Sequence, residues 1–516
     1  MHSLNLVSKS ASRSRLLRTA IKAASSAALL VSCVALCACT TLGAYRAEPP
    51  KLGDASKCAL LADPPGASDC GARSTEQHDL FTMHVVEFDD EGAPFDSASS
   101  QIDSAIDQIR SRLASSDDCV RLFVYVHGWR HNADTADSNM RNFRLFLKEV
   151  ADRSQGGVSG CDDPVVAASA AGSRKPGAPR RSIQTVGIYV GWRGLSIVDV
   201  KPWVYSSFWD RKNTADRVSQ GSVRELLGRV SALGAVAPTD DKPNARRGQT
   251  GAQLRSYVIG HSFGASIVFR AMSQTLIDGF ASDLDASAGD GRASVPRFVD
   301  MVVLVNPAIE AARFEPVFRA ARKRKAYCDA KPADGVACSQ PKYQAPVLAI
   351  FQSEGDLATK DAFVLGAGLS NVFESTIGDA ERRAITHTVG WDDAYVTHRL
   401  QPASACGAGA NAAPFEVAAG GMLRYRPPGW AWCFKDGSNP ASFELRHVAT
   451  TPESAGSKAT YNGPLWNARV APEIVKDHGD IWNAQFRAVL LSLFADQRVN
   501  PVFLNVASDK PALPQD

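Results

Sequence analysis

The chain has 516 residues, 45% of them apolar and 22% charged, enough for one large domain with insertions or for two or three ordinary ones. Its formal net charge of +3 comes from the N-terminus, where residues 1–38 hold Lys9, Arg13, Arg15, Arg18 and Lys22 and no acids. Setting those five aside leaves 52 basic against 54 acidic residues, so the remainder lacks the basic surplus a nucleic-acid surface needs.

The basic start is followed by "AASSAALLVSCVALCAC", an apolar run of signal-peptide length and short for a spanning helix. It ends in Leu36-Cys37-Ala38-Cys39, which resembles the lipobox of bacterial lipoproteins. The resemblance implies that residues 1–38 are a signal peptide and that Cys39 becomes the acylated first residue. With Thr40 rather than an aspartate next, it also implies sorting to the outer membrane, facing the periplasm or the surface. Several acyl chains make such attachment stable. An uncleaved N-terminal anchor is the alternative. If Cys33 and Cys37 leave and Cys39 is acylated, Cys58, Cys70, Cys119, Cys161, Cys328, Cys338, Cys406 and Cys433 remain. An even number in an oxidising compartment predicts disulfides, and sequential pairing (58–70, 119–161, 328–338, 406–433) is the simplest framework. Zinc is disfavoured because no Cys-x-x-Cys spacing occurs.

Residues 39–77, rich in Pro, Gly and Ala, read as a tether, and 78–500 as the main domain with a 501–516 tail. "FTMHVVEF" predicts a strand, and Ile102, Ile106, Ile109 and Leu113 then recur at helical spacing. "VRLFVYVHGW", "QTVGIYVGWRG", "RSYVIGHS", "VDMVVLVNPA" and "APVLAIFQSEGD" are short apolar runs that suit strands buried on both faces. Helical stretches such as "NMRNFRLFLKEVA", "GASIVFRAMSQTL" and "EPVFRAARKRK" fall between them. This alternation predicts an α/β fold: a mostly parallel central sheet, right-handed crossovers and helices on both faces. Insertions are expected near 154–182, 195–218, 281–297 and 366–463. The second carries Trp203, Tyr205, Phe208 and Trp209, as a lid, a substrate wall or ordinary packing over the sheet edge.

In open parallel sheets, ligands bind beyond the carboxyl ends of the strands. Ser262 stands there, in "VIGHSFGAS", after an apolar strand and before a helix. Gly260 and Gly264 let the turn close and the helix approach the strand. The helix N-terminus would offer N–H groups to an oxyanion.

With "YVHGWRHNA" (125–133), "SEGD" (353–356) and "VKDHGDIWN" (475–483), this motif resembles the α/β-hydrolase superfamily over roughly Phe81 to Phe494. The resemblance implies a nucleophile, acid and histidine in that chain order. Ser262 would be the nucleophile, Asp356 the acid and His478 the base. The backbone N–H groups of Trp129 and Phe263 would form the oxyanion hole, with Arg130 the alternative to Trp129. His127 and His131 precede the nucleophile strand and read as structural. Rival bases are His387, His398 and His447; Glu354, two residues from Asp356, is a rival acid, and so are the later Asp379 and Asp392, because 122 residues separate Asp356 from His478.

These residues predict a lipid-anchored serine hydrolase, an esterase or lipase acting through an acyl-enzyme, that needs no metal or organic cofactor. Its partners would be a small-molecule or lipid ester and the membrane that holds the N-terminal lipid, with no nucleic acid. A peptidase or thioesterase uses the same intermediate, and a non-catalytic envelope binding module could keep the same fold. No Gly-x-Gly-x-x-Gly or Gly-Lys-Ser/Thr follows any strand, which argues against a nucleotide-binding protein.

Overall fold

The computed structural model describes residues 43–46, 57–96, 100–115, 119–155, 182–196, 207–236, 253–285, 298–330, 346–370, 374–402, 416–418, 422–424, 430–433, 442–447 and 464–496. Its main sheet has strands β1 (Thr75–Gln77), β2 (Phe81–Phe88), β3 (Cys119–Val126), β4 (Ile183–Trp192), β5 (Gln253–His261), β6 (Met301–Val305), β7 (Leu348–Ser353), β8 (His398–Pro402), β9 (Trp430–Cys433), β10 (Ser442–His447) and β11 (Leu465–Val470). They form one 11-stranded sheet in the order β9-β10-β8-β11-β7-β6-β5-β3-β4-β2-β1. Every pairing from β2 across to β8 is parallel. Only the margins are antiparallel: β1 on β2, β10 on β8 and β9 on β10.

The helices are α1 (Ser100–Ser115), α2 (Ser138–Gln155), α3 (Ser207–Gln220), α4 (Ser222–Val236), α5 (Phe263–Asp285), α6 (Ala311–Ala330), α7 (Phe363–Ser370), α8 (Asp379–Thr386) and α9 (Ala484–Asp496). Strand β3 shows why its sequence is apolar without alternation. Val120, Leu122, Val124 and Val126 enter one core, with Ile106 of α1, Leu226 of α4 and Ile267 of α5. Phe123 and Tyr125 enter the other, with Phe143 of α2 and Phe486 of α9. Period-two side chains that must bury both sets make a continuous apolar run. The α/β expectation, a mostly parallel sheet with helices on both faces, is what the structure has.

Two segments, 39–77 and 366–463, differ from their sequence reading, and a third, 195–218, gains detail. Within 39–77, expected as a tether, the described part is packed. β1 is an edge strand, and Cys58–Cys70 is disulfide-bonded beside the antiparallel ribbon Leu60–Leu61/Ala67–Ser68. The physical reason is Glu76, whose buried carboxylate accepts from Arg144 Nε and Nη2, both at 2.8 Å, and pairs with Arg46 at 3.1 Å. Within 195–218, residues from 207 onward are helical (α3). Within 366–463, the described strands β8, β9 and β10 extend the main sheet beyond β11. Cys119 is also disulfide-bonded. Cys161, Cys338 and Cys406 lie outside the described residues, as do Cys39, residues 1–38 and the 501–516 tail.

Candidate active site

Ser262 sits between the last residue of β5 and the first of α5, at φ 56°, a left-handed conformation that costs a non-glycine residue energy. The turn is held by Ser262 N–H donating to Val305 O (3.0 Å) and Ala308 N–H donating to Ser262 O (3.2 Å). Its neighbours have no room for side chains. A Cβ at Gly264 would lie 2.2 Å from Val126 O, and one at Gly260 2.7 Å from Ala265 Cα. The two glycines therefore let strand, turn and helix close together, which projects the serine from the sheet's C-terminal end.

His478 lies in the connection between β11 and α9. Its Nε2 is 2.8 Å from Ser262 Oγ, and its Nδ1 is 2.8 Å from Asp356 Oδ2, beyond the end of β7. The carboxylate fixes the tautomer: Nδ1–H donates to Asp356, and Nε2 is the acceptor facing the hydroxyl. Asp356 is buried and accepts further bonds from Thr359 Oγ1 (2.6 Å), Gln352 Nε2 (3.0 Å) and the N–H groups of Ala358 (3.0 Å) and Thr359 (3.1 Å). Burial pushes its pKa up, but the His478 charge and hydrogen bond, with the Thr359 bonds, outweigh burial and hold it at about 2. The carboxylate thus stays ionised wherever the imidazole works.

The rivals are elsewhere. Glu354 pairs with Arg399 at 3.1 Å, Asp392 caps Ala394 N–H at 3.1 Å, and Asp379 is exposed on α8. His398 is buried against Trp466 with Nδ1 on Thr397 Oγ1 (2.8 Å), and His387 Nδ1 meets Thr386 Oγ1 (3.0 Å). The side chain of His447 lies outside the described residues. His127 spends both ring nitrogens locally: Nδ1–H donates to Gly128 O (2.9 Å), and Nε2 accepts from Trp192 N–H (3.1 Å). Burial, only partly opposed by those bonds, lowers its pKa to about 4. His131 Nδ1 meets Asp137 Oδ2 at 3.1 Å.

For the oxyanion donors, Phe263 opens α5, where first-turn N–H groups have no acceptor within the helix. Arg130, at φ 71°, donates its N–H to Gly194 O at 2.9 Å, which commits it and leaves Trp129 as the donor to consider in that loop. Trp129 and Phe263 are joined through Phe208, with ring centroids 5.4 and 4.8 Å from it. The aromatic segment therefore packs beside the serine through α3, while Trp203 and Tyr205 lie outside the described residues.

Two residues were missed in the sequence. Asn306, at φ 46° after β6, donates from Nδ2 to His478 O (3.0 Å) and Asp477 O (3.3 Å), and accepts from Ser353 N–H (2.8 Å). His261 Nε2 donates to the same His478 carbonyl at 2.8 Å. Burial first, then charge on His478, hold the His261 pKa well below the usual range. Neither has a motif of its own, though both stand at strand ends, where polar residues merit attention.

The described residues hold one group with metal-ligand spacing, Cys70, Glu76 and His78. The Cys70 sulfur is bonded to Cys58, and Arg144 forks onto Glu76, so the group is an ion-pair core.

No family model matches the chain, and no curated protein matches it. Among solved structures, an inhibited esterase B from Lactobacillus rhamnosis is similar at 17% identity with a TM-score of 0.17, covering 53% of this chain and 65% of that one. The likeness spans just under two thirds of that protein's length. The α/β fold rests on the mostly parallel sheet and its helices, with a strand–turn–helix at Ser262.

Proposed function

We propose that the chain is a lipid-anchored serine hydrolase that cleaves carboxylic esters. One observation carries the reading: Ser262 Oγ, His478 Nε2, His478 Nδ1 and Asp356 Oδ2 form a continuous relay with 2.8 Å at each link. In that relay Ser262 Oγ attacks the acyl carbonyl carbon while its proton passes to His478 Nε2. Charge gathers on the carbonyl oxygen, which the N–H groups of Phe263 and Trp129 would receive, each worth roughly 2.7–4 kcal/mol. The intermediate collapses, His478 protonates the departing alcohol, and the acyl group stays on Ser262 Oγ. Water, activated by the same imidazole, releases the acid and restores the serine. Asp356 keeps the imidazole in the working tautomer and balances its charge.

Acylation of Cys39 would hold the enzyme at the outer membrane, as its sequence context implies. None of the described helices is long and apolar enough to cross a membrane, so attachment would rest on the N-terminus.

The test is the purified full chain in detergent with p-nitrophenyl esters of graded chain length, matched thioesters and amides. Ester turnover that Ser262→Ala abolishes supports the reading. Turnover of amides or thioesters alone would replace it by the peptidase or thioesterase reading, and turnover surviving Ser262→Ala would refute the nucleophile.

A further inference from the structure

The segment leading to the N-terminus does not leave the domain at random. Tyr45 N–H and Arg46 N–H donate to the two oxygens of Glu87, at 2.9 and 2.7 Å, and Gln101 Nε2 donates to Arg46 O at 2.9 Å. The Arg46 side chain is 1% exposed; it donates to Ala133 O (3.0 Å) and Gly71 O (2.7 Å) and pairs with Glu76 at 3.1 Å. Asn132 Nδ2 reaches the Tyr45 hydroxyl at 3.2 Å. Glu87 is near the C-terminal end of β2, and Asn132 and Ala133 belong to the loop that leaves β3 past Trp129. The arm is therefore clamped at the end of the sheet where Ser262 projects.

A second observation concerns the same end. Besides Leu61 in the small ribbon, the exposed large apolar side chains among the described residues are Tyr45, Leu357, Leu365 and Ile377. Leu357 follows Asp356 directly and is 63% exposed. Leu365, at 73%, lies on α7, which packs on the ring of Trp209, beside the Phe208–Phe263 contact. Ile377, at 99%, precedes α8, and the chain then returns through Thr388 to pair with Glu310, beyond the C-terminal end of β6. Moving an exposed leucine or isoleucine at this end into an apolar phase is favourable by about 1.5–3 kcal/mol each.

We propose that this end of the molecule lies on a lipid surface, so that the active site faces the membrane and takes acyl esters presented by it. The proposal rests on the acylated Cys39 of the preceding section. Only five residues separate Cys39 from Tyr45, a span of about 20 Å even when fully extended. A leash that short, fastened at the same end of the sheet as Ser262, cannot turn the opposite end of the domain to the bilayer. Leu357, Leu365 and Ile377 are the side chains that would enter the lipid interface.

The experiment uses the acylated full chain in vesicles of phosphatidylethanolamine and phosphatidylglycerol carrying a nitroxide near the headgroup. A fluorophore is attached at Leu365→Cys, or at Ile377→Cys as a second reporter at this end, and compared with one at Asp152→Cys. Asp152 is on the last turns of α2, where Ser154 Oγ accepts from Arg121 Nη1 near the start of β3, so it marks the far end of the sheet. Flotation with the vesicles is measured first. The proposal expects several-fold stronger quenching at 365 and 377 than at 152. Equal quenching in protein that floats, or stronger quenching at 152, overturns the orientation. Failure to float overturns the anchor and the orientation together, while ester turnover by the same preparation reads the hydrolase assignment separately.

Discussion

At the scale of single residues, the site consists of a relay and the groups that hold it. Asp356→Asn would leave the shape intact but offer His478 an amide instead of a carboxylate, favouring the wrong tautomer. A loss of about 10⁴-fold in kcat is expected, read by ester hydrolysis under saturating substrate. His261 and Asn306 touch no reacting atom, yet both hold the backbone carbonyl of His478. With its N–H on Nε2, His261 keeps Nδ1 as a buried acceptor without a partner among the described residues, which marks a group placed for one bond. His261→Ala should lower kcat roughly 10- to 100-fold with KM nearly unchanged, as for a misplaced catalytic group. His261→Gln, which can present a similar N–H, should recover much of it. A purely structural loss would lower the active fraction instead, seen by active-site titration. Ser262 was legible because strand, glycine pair and helix converge on it within a few residues. Asp356 was legible from its strand end, although Glu354 two residues away has the same chemistry and only its pairing with Arg399 sets it apart. Asn306 was not legible: its acceptor is a main-chain carbonyl 172 residues away, and a carbonyl leaves no trace in a side-chain pattern.

At the scale of elements, the edge strand β1 is stabilised by charge rather than by apolar pattern. Glu76 is buried, and burial opposes its ionisation; His78, Arg144 and Arg46 outweigh that and hold its pKa at about 2. Arg144→Leu would leave the Glu76 charge undercompensated and should destabilise the fold by about 3–5 kcal/mol in denaturant titration. The pH dependence has a definite sign. A carboxyl whose folded pKa is depressed contributes stability above its unfolded value, lost as pH falls from about 4.5 toward 2 for Glu76. Burial lowers His84 to about 3 and His127 to about 4, so below the reference value of 6.5 the unfolded chain takes up protons that the folded one refuses. Both effects act in the same direction. Thermal midpoints should fall as pH is lowered from 6.5 to 3, and a midpoint that rises on acidification would contradict these buried groups. Composition hid β1, since the Pro, Gly and Ala around it read as a linker, and the Glu76–Arg144 pairing spans 68 positions.

At the scale of the whole molecule, the parallel sheet brings Ser262, Asp356 and His478 together from β5, β7 and the connection after β11. Their order of Ser, acid and His was expected from the resemblance to the α/β-hydrolase superfamily, and their places from strand ends. The strands β8, β9 and β10 were read as part of an insertion. They are short and at the sheet's margin, where mixed, partly polar sequence gives no continuous apolar signal. Their joining β11 explains how 122 residues can part Asp356 from His478 while leaving the two side chains 2.8 Å apart.

The central claim is that this relay activates Ser262, and covalent labelling reaches it most directly. Full-length protein and its Ser262→Ala variant, incubated with a fluorophosphonate and weighed intact, should differ by one adduct on the wild type and none on the variant. A folded wild type that takes no adduct with or without detergent micelles, or a variant that is labelled equally, would contradict it.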